Sequence, residues 1–272
     1  MKTILLSSML CAAVLSTSCS TTNYYQLYKA SPQTSMAQSS ALVYEDANCT
    51  VTYNLWGESG NAGFKFSNKT NEAIFINLSE SYFILNGIAY DYFKNRIVTE
   101  SSGQTISQSK KTTVQMPVYN NFFWPIIGAQ SVSASAANTS SYSVAYTETK
   151  IVAVPPKTAK VFSEYYINKE FIKDCSLPKY PSKKQVQPVT FSNTDSPLVF
   201  SNRISYSVGT GNAVKFENAF YVSEISNHPG DEFITQERIK ECGETVNVRT
   251  FNHKAANSFY VSYLMDKYSS KY

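Results

Sequence analysis

Charge is scarce in this 272-residue chain, because Asp, Glu, Lys and Arg make up only 16% of it, against about 25% in a typical soluble domain. Disordered chains combine abundant charge with few aromatic residues, so the 20 Tyr and 16 Phe found here exclude that class. The formal net charge of +4 is too small to predict a nucleic-acid partner. Uncharged polar side chains must cover much of the surface, which is typical of extracytoplasmic β-proteins.

The chain also lacks the short motifs that identify common enzyme classes. It contains no HExxH, no GxSxG, no glycine-rich phosphate-binding loop and no EF-hand loop. Its two histidines, His228 and His253, lie in polar sequences that favour surface turns, and no CxxC or His-x-His spacing predicts a metal site. We therefore predict a protein without enzymatic activity, cofactor or metal.

The N-terminus carries the longest apolar run, from Ile4 to Leu15, preceded by Lys2 and followed by Ser16-Thr17-Ser18-Cys19. A membrane-spanning helix needs about 20 apolar residues, and this run is shorter. A basic start, a short apolar stretch and small residues at its end predict a secretory signal peptide over residues 1–18.

The residues before Cys19 resemble the lipobox of bacterial lipoproteins, although Leu15 lies four residues before the cysteine where three is commonest. With the Thr22–Lys29 and Asn86–Phe93 stretches, this makes the chain similar to lipoproteins of Bacteroidota-type bacteria. The resemblance implies cleavage between Ser18 and Cys19, lipid (palmitate) on Cys19, and an outer-membrane location. Positions 20–28 hold no acidic residue, which favours a periplasm-facing anchor. The alternative is an ordinary signal peptide with Cys19 as an unmodified thiol.

Residues 19–41 follow as a Ser/Thr/Gln-rich segment with almost no charge. Such a composition favours a flexible tether, so we expect a lipidated N-terminus and tether over this range. Within it, only Tyr24–Tyr28 has the apolar character to dock on the body.

From residue 42 onward, apolar and polar residues alternate with period two in short runs such as Thr50–Trp56 and Phe64–Ser67. Short alternating strands with frequent turn signals, of which Asn86-Gly87 is the strongest, predict a mostly β protein built as an antiparallel, immunoglobulin-like β-sandwich. We expect one sandwich unit over residues 42–178. Residues 179–272 form either a second β unit or a continuation of the same sandwich.

The cysteines and one apolar cluster complete the candidate sites. Cys49, Cys175 and Cys242 would share an oxidising compartment, and we favour a disulfide between Cys175 and Cys242, with Cys49 as an alternative partner. The cluster, which we call the apolar patch, interrupts the alternation and is either core or a binding surface. Its members are Phe122, Phe123, Trp124, Ile126 and Ile127.

Together these features predict a lipid-anchored cell-envelope protein with a structural or interaction role. Its partners would be the membrane, reached through the N-terminal lipid, and an envelope protein or a glycan. Two alternatives stay open. One is a carbohydrate-binding lipoprotein, since aromatic rings present flat apolar faces. The other is a glycoside hydrolase, which needs two carboxylates from a set such as Asp91, Glu164, Glu217 and Glu224.

Overall fold

The fold is described by a computed structural model that covers residues 23–38, 40–102 and 142–266. Strands dominate it. In chain order they are β1 (Asn23–Pro32), β2 (Ala37–Gln38), β3 (Leu42–Glu45), β4 (Cys49–Tyr53), β5 (Phe64–Asn68), β6 (Ile74–Asn77), β7 (Tyr82–Leu85), β8 (Ile88–Asp91), β9 (Ile97–Ser102), β10 (Tyr142–Thr147), β11 (Ile151–Val154), β12 (Ala159–Phe162), β13 (Val189–Thr190), β14 (Val199–Val208), β15 (Val214–Pro229), β16 (Ile234–Glu241), β17 (Glu244–Phe251) and β18 (Ser258–Leu264).

Helices are few and short in the described residues. Two 3₁₀ turns span Leu78–Glu80 and Lys183–Gln185, and a single α-helical turn, α1, spans Gly230–Phe233. In the ranges that the structure describes, no helix has the length and apolar character to cross a bilayer.

The strands form two large antiparallel sheets and two separate hairpins. The nine-stranded sheet has the order β11-β6-β14-β15-β1-β18, with β7, β8 and β13 joined at its sides, and the five-stranded sheet has the order β12-β5-β4-β3-β2. The hairpins are β9-β10 and β16-β17. The predicted class, mostly β and antiparallel, is confirmed.

The two large sheets pack face to face and enclose the main core. Alternating burial along β4 and β5 follows the alternating sequence, since every second side chain points to the same face. Rings from opposite sheets meet in the middle: the centroid of Tyr53 lies 5.2 Å from that of Phe220, and that of Phe66 lies 5.6 Å from that of Tyr206. This is a β-sandwich, while the finer immunoglobulin-like strand order stays a prediction.

The segment that we expected to be a tether contains a central strand. β1 lies between β15 and β18 in the nine-stranded sheet, and Tyr24–Tyr28 is buried without interruption. The tether prediction is therefore wrong for residues 23–32. A strand that is covered on both faces needs no polar alternation, so the pattern that reveals the other strands is absent here.

Strands from before and after residue 178 share the nine-stranded sheet. β14 pairs directly with β6 and β7, so hydrogen bonds run across the predicted boundary. The polar stretch Pro178–Pro181 therefore does not separate two sheets, and the chain beyond it continues the sheet begun by the earlier strands.

Candidate functional site

Several predicted site residues lie outside the described part of the chain. These are Ser18 and Cys19 at the proposed cleavage and lipidation site, together with the whole apolar patch. The proposals about them stay predictions.

The cysteines correct one prediction. Cys49, Cys175 and Cys242 are all free thiols in the structure, so neither the favoured Cys175–Cys242 disulfide nor its alternatives are present. Cys49 is buried in β4, whereas Cys175 and Cys242 lie in exposed turns of different segments. A disulfide needs two Cα atoms within about 7 Å of each other. The sequence does not give the distance between two such turns, so it could not predict whether this condition is met.

Three of the four carboxylates considered for hydrolysis take part in surface ion pairs. Glu164 contacts Lys94 and Arg96, Glu217 contacts Arg203 and Glu224 contacts Lys29, with N–O distances of 2.7 to 2.8 Å. These ion pairs account for the positions of the three carboxylates without a catalytic role.

One of the two histidines, His228, contradicts the expectation of surface turns, whereas His253 does lie in a turn. His228 lies in β15 with only 4% of its surface exposed, and His253 lies just after β17 with its side chain 30% exposed. Asn227-His228-Pro229 resembles a turn in sequence, but β1 pairs with β15 through this stretch, with Tyr25 opposite His228. Tertiary pairing therefore overrides the local turn signal.

Both rings belong to a small second cluster on the outer face of the nine-stranded sheet, which we call the outer cluster. The centroid of Phe233, from α1, stacks 4.6 Å above that of Tyr25 and lies 5.6 Å from both histidine centroids. The other buried members come from a loop and from two strands of the sheet: Trp56, Leu27 and Tyr260. The turn of α1 and the base of the β16-β17 hairpin thus form a lid over the sheet.

Glu232 bridges the two histidines, and we call these three residues the His-Glu-His cluster. One carboxylate oxygen lies 2.6 Å from His228 Nδ1 and the other lies 2.8 Å from His253 Nε2. On its opposite side, His228 Nε2 is 2.8 Å from the hydroxyl of Ser226. Every polar atom of the buried His228 ring is therefore satisfied, as the low dielectric of the interior requires.

Burial decides the protonation of this cluster. Desolvation lowers the pKa of His228 and outweighs the opposing effect of Glu232. For Glu232, burial by itself would raise the pKa, but the hydrogen bonds from the two histidines outweigh it and the pKa is lowered. At neutral pH the cluster is a neutral His228 beside an ionised carboxylate, so Nδ1–H of His228 donates to Glu232 and its Nε2 accepts from Ser226.

Backbone contacts hold the three residues in place from two segments of the chain. His228 lies at the end of β15, Glu232 lies in α1 four residues later, and His253 follows β17. The Asn252 N–H donates to the carbonyl of Phe233 over 3.1 Å, and the Ser258 hydroxyl donates to the carbonyl of His253 over 3.3 Å. The turn that carries His253 is therefore tied to α1 and to β18.

The cluster lies at the end of the sheet where β1 begins. Gly230 starts α1 directly against Asn23, because a Cβ at position 230 would lie only 2.8 Å from the carbonyl oxygen of Asn23. A shallow cleft opens beside this contact, and its lining includes Asn23, Tyr25, Gly230, Asp231, Gln236 and Arg249.

Sequence reasoning missed the His-Glu-His cluster because its members are unremarkable along the chain. The one signal is that the chain has only two histidines and that a glutamate lies four residues after the first. Only the pairing of β15 with β1 and the folding back of the β16-β17 hairpin bring His253 to Glu232.

Comparisons with known proteins supply no relative. The sequence matches no family model and no curated protein, and the fold matches no solved structure.

Proposed function

We propose that the chain is a lipid-anchored cell-envelope β-sandwich protein with an interaction role at the membrane surface. The observation that carries the proposal is the position of β1, which begins at Asn23, four residues after Cys19. Four residues of extended chain span at most about 14 Å. A body lipidated at Cys19 would therefore lie directly on the lipid headgroups and would not hang on a long tether.

The chemistry of the end nearest Cys19 supports this orientation. Leu264 pairs with Asn23 across the β1-β18 ladder and is 58% exposed, and the following Met265 is 47% exposed. Large apolar side chains next to an acylated terminus suit the boundary between headgroups and acyl chains. The proposed interaction surface is this end of the sandwich, with the cleft beside Asn23 as its concave part.

The anchor is tested by substitution of Cys19 and fractionation of cells. Cys19→Ala is expected to move the chain from the membrane to the soluble fraction, since several acyl chains supply about 0.8 kcal/mol per buried methylene. Cys11→Ala is the matched control, because it removes a cysteine from within the apolar run and leaves the lipobox intact. Membrane retention of the Cys19→Ala chain would contradict the proposal.

The orientation is tested with a photo-crosslinking amino acid at one of two exposed aliphatic positions. Leu264 lies in the row of Asn23, whereas Ile88 (60% exposed) lies in the row of Pro32 at the other end of β1. The rows lie at opposite ends of the ten-residue strand β1, about 30 Å apart. Crosslinks to phospholipid are expected from position 264 and not from position 88, and equal labelling would overturn the orientation.

A further inference from the structure

The His-Glu-His cluster combines donors from two backbone segments, one running from the end of β15 into α1 and the other being the turn after β17. Its ligating atoms all lie within 4.8 Å of one another. We propose that His228 Nδ1, the Glu232 carboxylate and His253 Nε2 bind one divalent transition-metal ion of the zinc type. This inference goes beyond the membrane anchor and does not depend on it.

The spacing of the donors suits such an ion. Zinc binds imidazole nitrogen and carboxylate oxygen at about 2.0 to 2.2 Å in a tetrahedral arrangement, which places neighbouring ligand atoms about 3.3 Å apart. The present contacts of 2.6 Å and 2.8 Å are hydrogen bonds across the same gaps. Small side-chain rotations would widen them to admit the ion, with no movement of β15, α1 or the turn at His253.

The type of donor selects the class of metal. Two imidazoles and one carboxylate suit zinc and its transition-metal neighbours, whereas calcium and magnesium prefer sites made only of oxygen. Three protein ligands leave a fourth position for water or for a group from a ligand. That position would face outward, because the side chains of Glu232 and His253 are 27% and 30% exposed while that of His228 is 5% exposed.

Ser226 adds the second partner that metal-binding histidines commonly have. Its hydroxyl lies 2.8 Å from His228 Nε2, the ring nitrogen that faces away from Glu232. When Nδ1 binds the metal, the proton of the neutral ring moves to Nε2, which then donates to the Ser226 oxygen. A hydroxyl can donate or accept by rotation, so Ser226 satisfies the ring in both states and acts as a positioning residue.

The test measures metal binding by the full-length chain in detergent, with a chromophoric chelator as competitor for Zn²⁺ and with Co²⁺ as a spectroscopic probe. We expect one Zn²⁺ per chain, visible Co²⁺ absorption typical of a four-coordinate nitrogen and oxygen site, and no comparable affinity for Mg²⁺ or Ca²⁺. Because Zn²⁺ would bind the folded chain and not the unfolded chain, it is expected to raise the melting temperature. A chelator is expected to return the melting temperature to its metal-free value.

Glu232→Gln and His253→Ala are each expected to weaken Zn²⁺ binding by at least about 100-fold, since even loss of an outer partner costs 10- to 100-fold. Asp231→Asn is the matched control, because this neighbouring carboxylate of α1 is 73% exposed and pairs with Lys183. Ser226→Ala is expected to cost about 10-fold. His253 is only partly buried, so its variant keeps the test informative if a variant at the buried His228 fails to fold.

The proposal is overturned if no stoichiometric Zn²⁺ binds, or if Asp231→Asn weakens binding as much as Glu232→Gln does. A Co²⁺ spectrum that is identical in the wild-type and His253→Ala chains would also overturn it. Since the readout is metal affinity, failure here is distinguishable from failure of the Cys19 anchor, which is read by fractionation.

Discussion

The two faces of β1 lie against very different interiors. On one side is the main core between the two sheets, built from alternating strand residues. Several of its polar groups pair within it: the Tyr53 hydroxyl accepts from Asn218 over 2.9 Å, and the Tyr206 hydroxyl donates to Asp46 over 2.8 Å. On the other side is the outer cluster, to which one loop and one lid contribute and in which both described histidines lie close to Phe233.

The comparison indicates that the main core supplies most of the stability of the sandwich, whereas the outer cluster holds both histidines. Strands with period two supply the main core, and its tyrosine hydroxyls are held by amide and carboxylate partners. The outer cluster depends on the lid and contains the buried ionisable His228. Each interior leaves one buried polar atom without a hydrogen-bond partner among the described residues, Asn218 Oδ1 in the main core and Trp56 Nε1 in the outer cluster.

The largest expected effect comes from the main core. Phe220 is fully buried, and its ring centroid lies 5.2 Å from those of Tyr53 and Phe200. Phe220→Ala is expected to lower the free energy of unfolding by about 4 to 5 kcal/mol, because a large cavity opens between two sheets that cannot collapse onto it. Urea denaturation followed by tryptophan fluorescence measures this loss. A loss of unfolding free energy below about 2 kcal/mol would contradict the view that the main core supplies most of the stability.

A smaller loss is expected from the outer cluster. Phe233 is equally buried, but it lies on a single helical turn that can settle onto the sheet. Phe233→Ala is therefore expected to cost about 3 kcal/mol, the lower end for this substitution. It should also loosen His228 and His253, whose rings it contacts. Hydrogen exchange at β16 and β17 would rise while β4 and β5 stay protected, and uniform loss of protection would contradict a separate lid.

The smallest effect concerns acid sensitivity at the edge of the main core. Partial burial alone would raise the pKa of Asp46, but hydrogen bonds from the Cys49 N–H, the Tyr206 hydroxyl and the Asn48 N–H outweigh it and lower the pKa. Because the unfolded chain then binds the proton more readily, this stabilisation is present above about pH 4. It is lost as the pH falls through the lowered value.

Asp46→Asn removes that titration and is expected to cost about 1 kcal/mol at pH 7, the scale of one hydrogen bond. Urea midpoints at pH 7 and pH 3 measure the effect, and the drop between the two pH values should be smaller in the variant than in the wild type. Glu45→Gln is the control, since Glu45 is an exposed neighbour that pairs with Lys69. An equal drop in the wild type and in Asp46→Asn would refute the assignment.

The sequence was informative where only one face of a strand is buried. β4 and β5 alternate as predicted. The Asn86-Gly87 turn has the positive φ angles, 47° and 83°, that its residues favour, and it joins β7 to β8 as a hairpin.

Other elements could not be predicted because their partners lie far away in the chain. β1 pairs on both sides with strands far later in the chain, β15 and β18, so its own composition indicates a tether. The stretch Pro229–Gly243, in which acidic and basic ends favour a helix, forms only one helical turn, after which β16 pairs with β17. The His-Glu-His cluster exists only once both of these tertiary events have occurred.

The central position of β1 also has a consequence for the order of folding. β1 completes its pairing only with β15 and β18, which lie far later in the chain. Ladders between such distant segments form slowly, since loop closure must precede them. The centre of the nine-stranded sheet is therefore complete only after both β15 and β18 have reached β1.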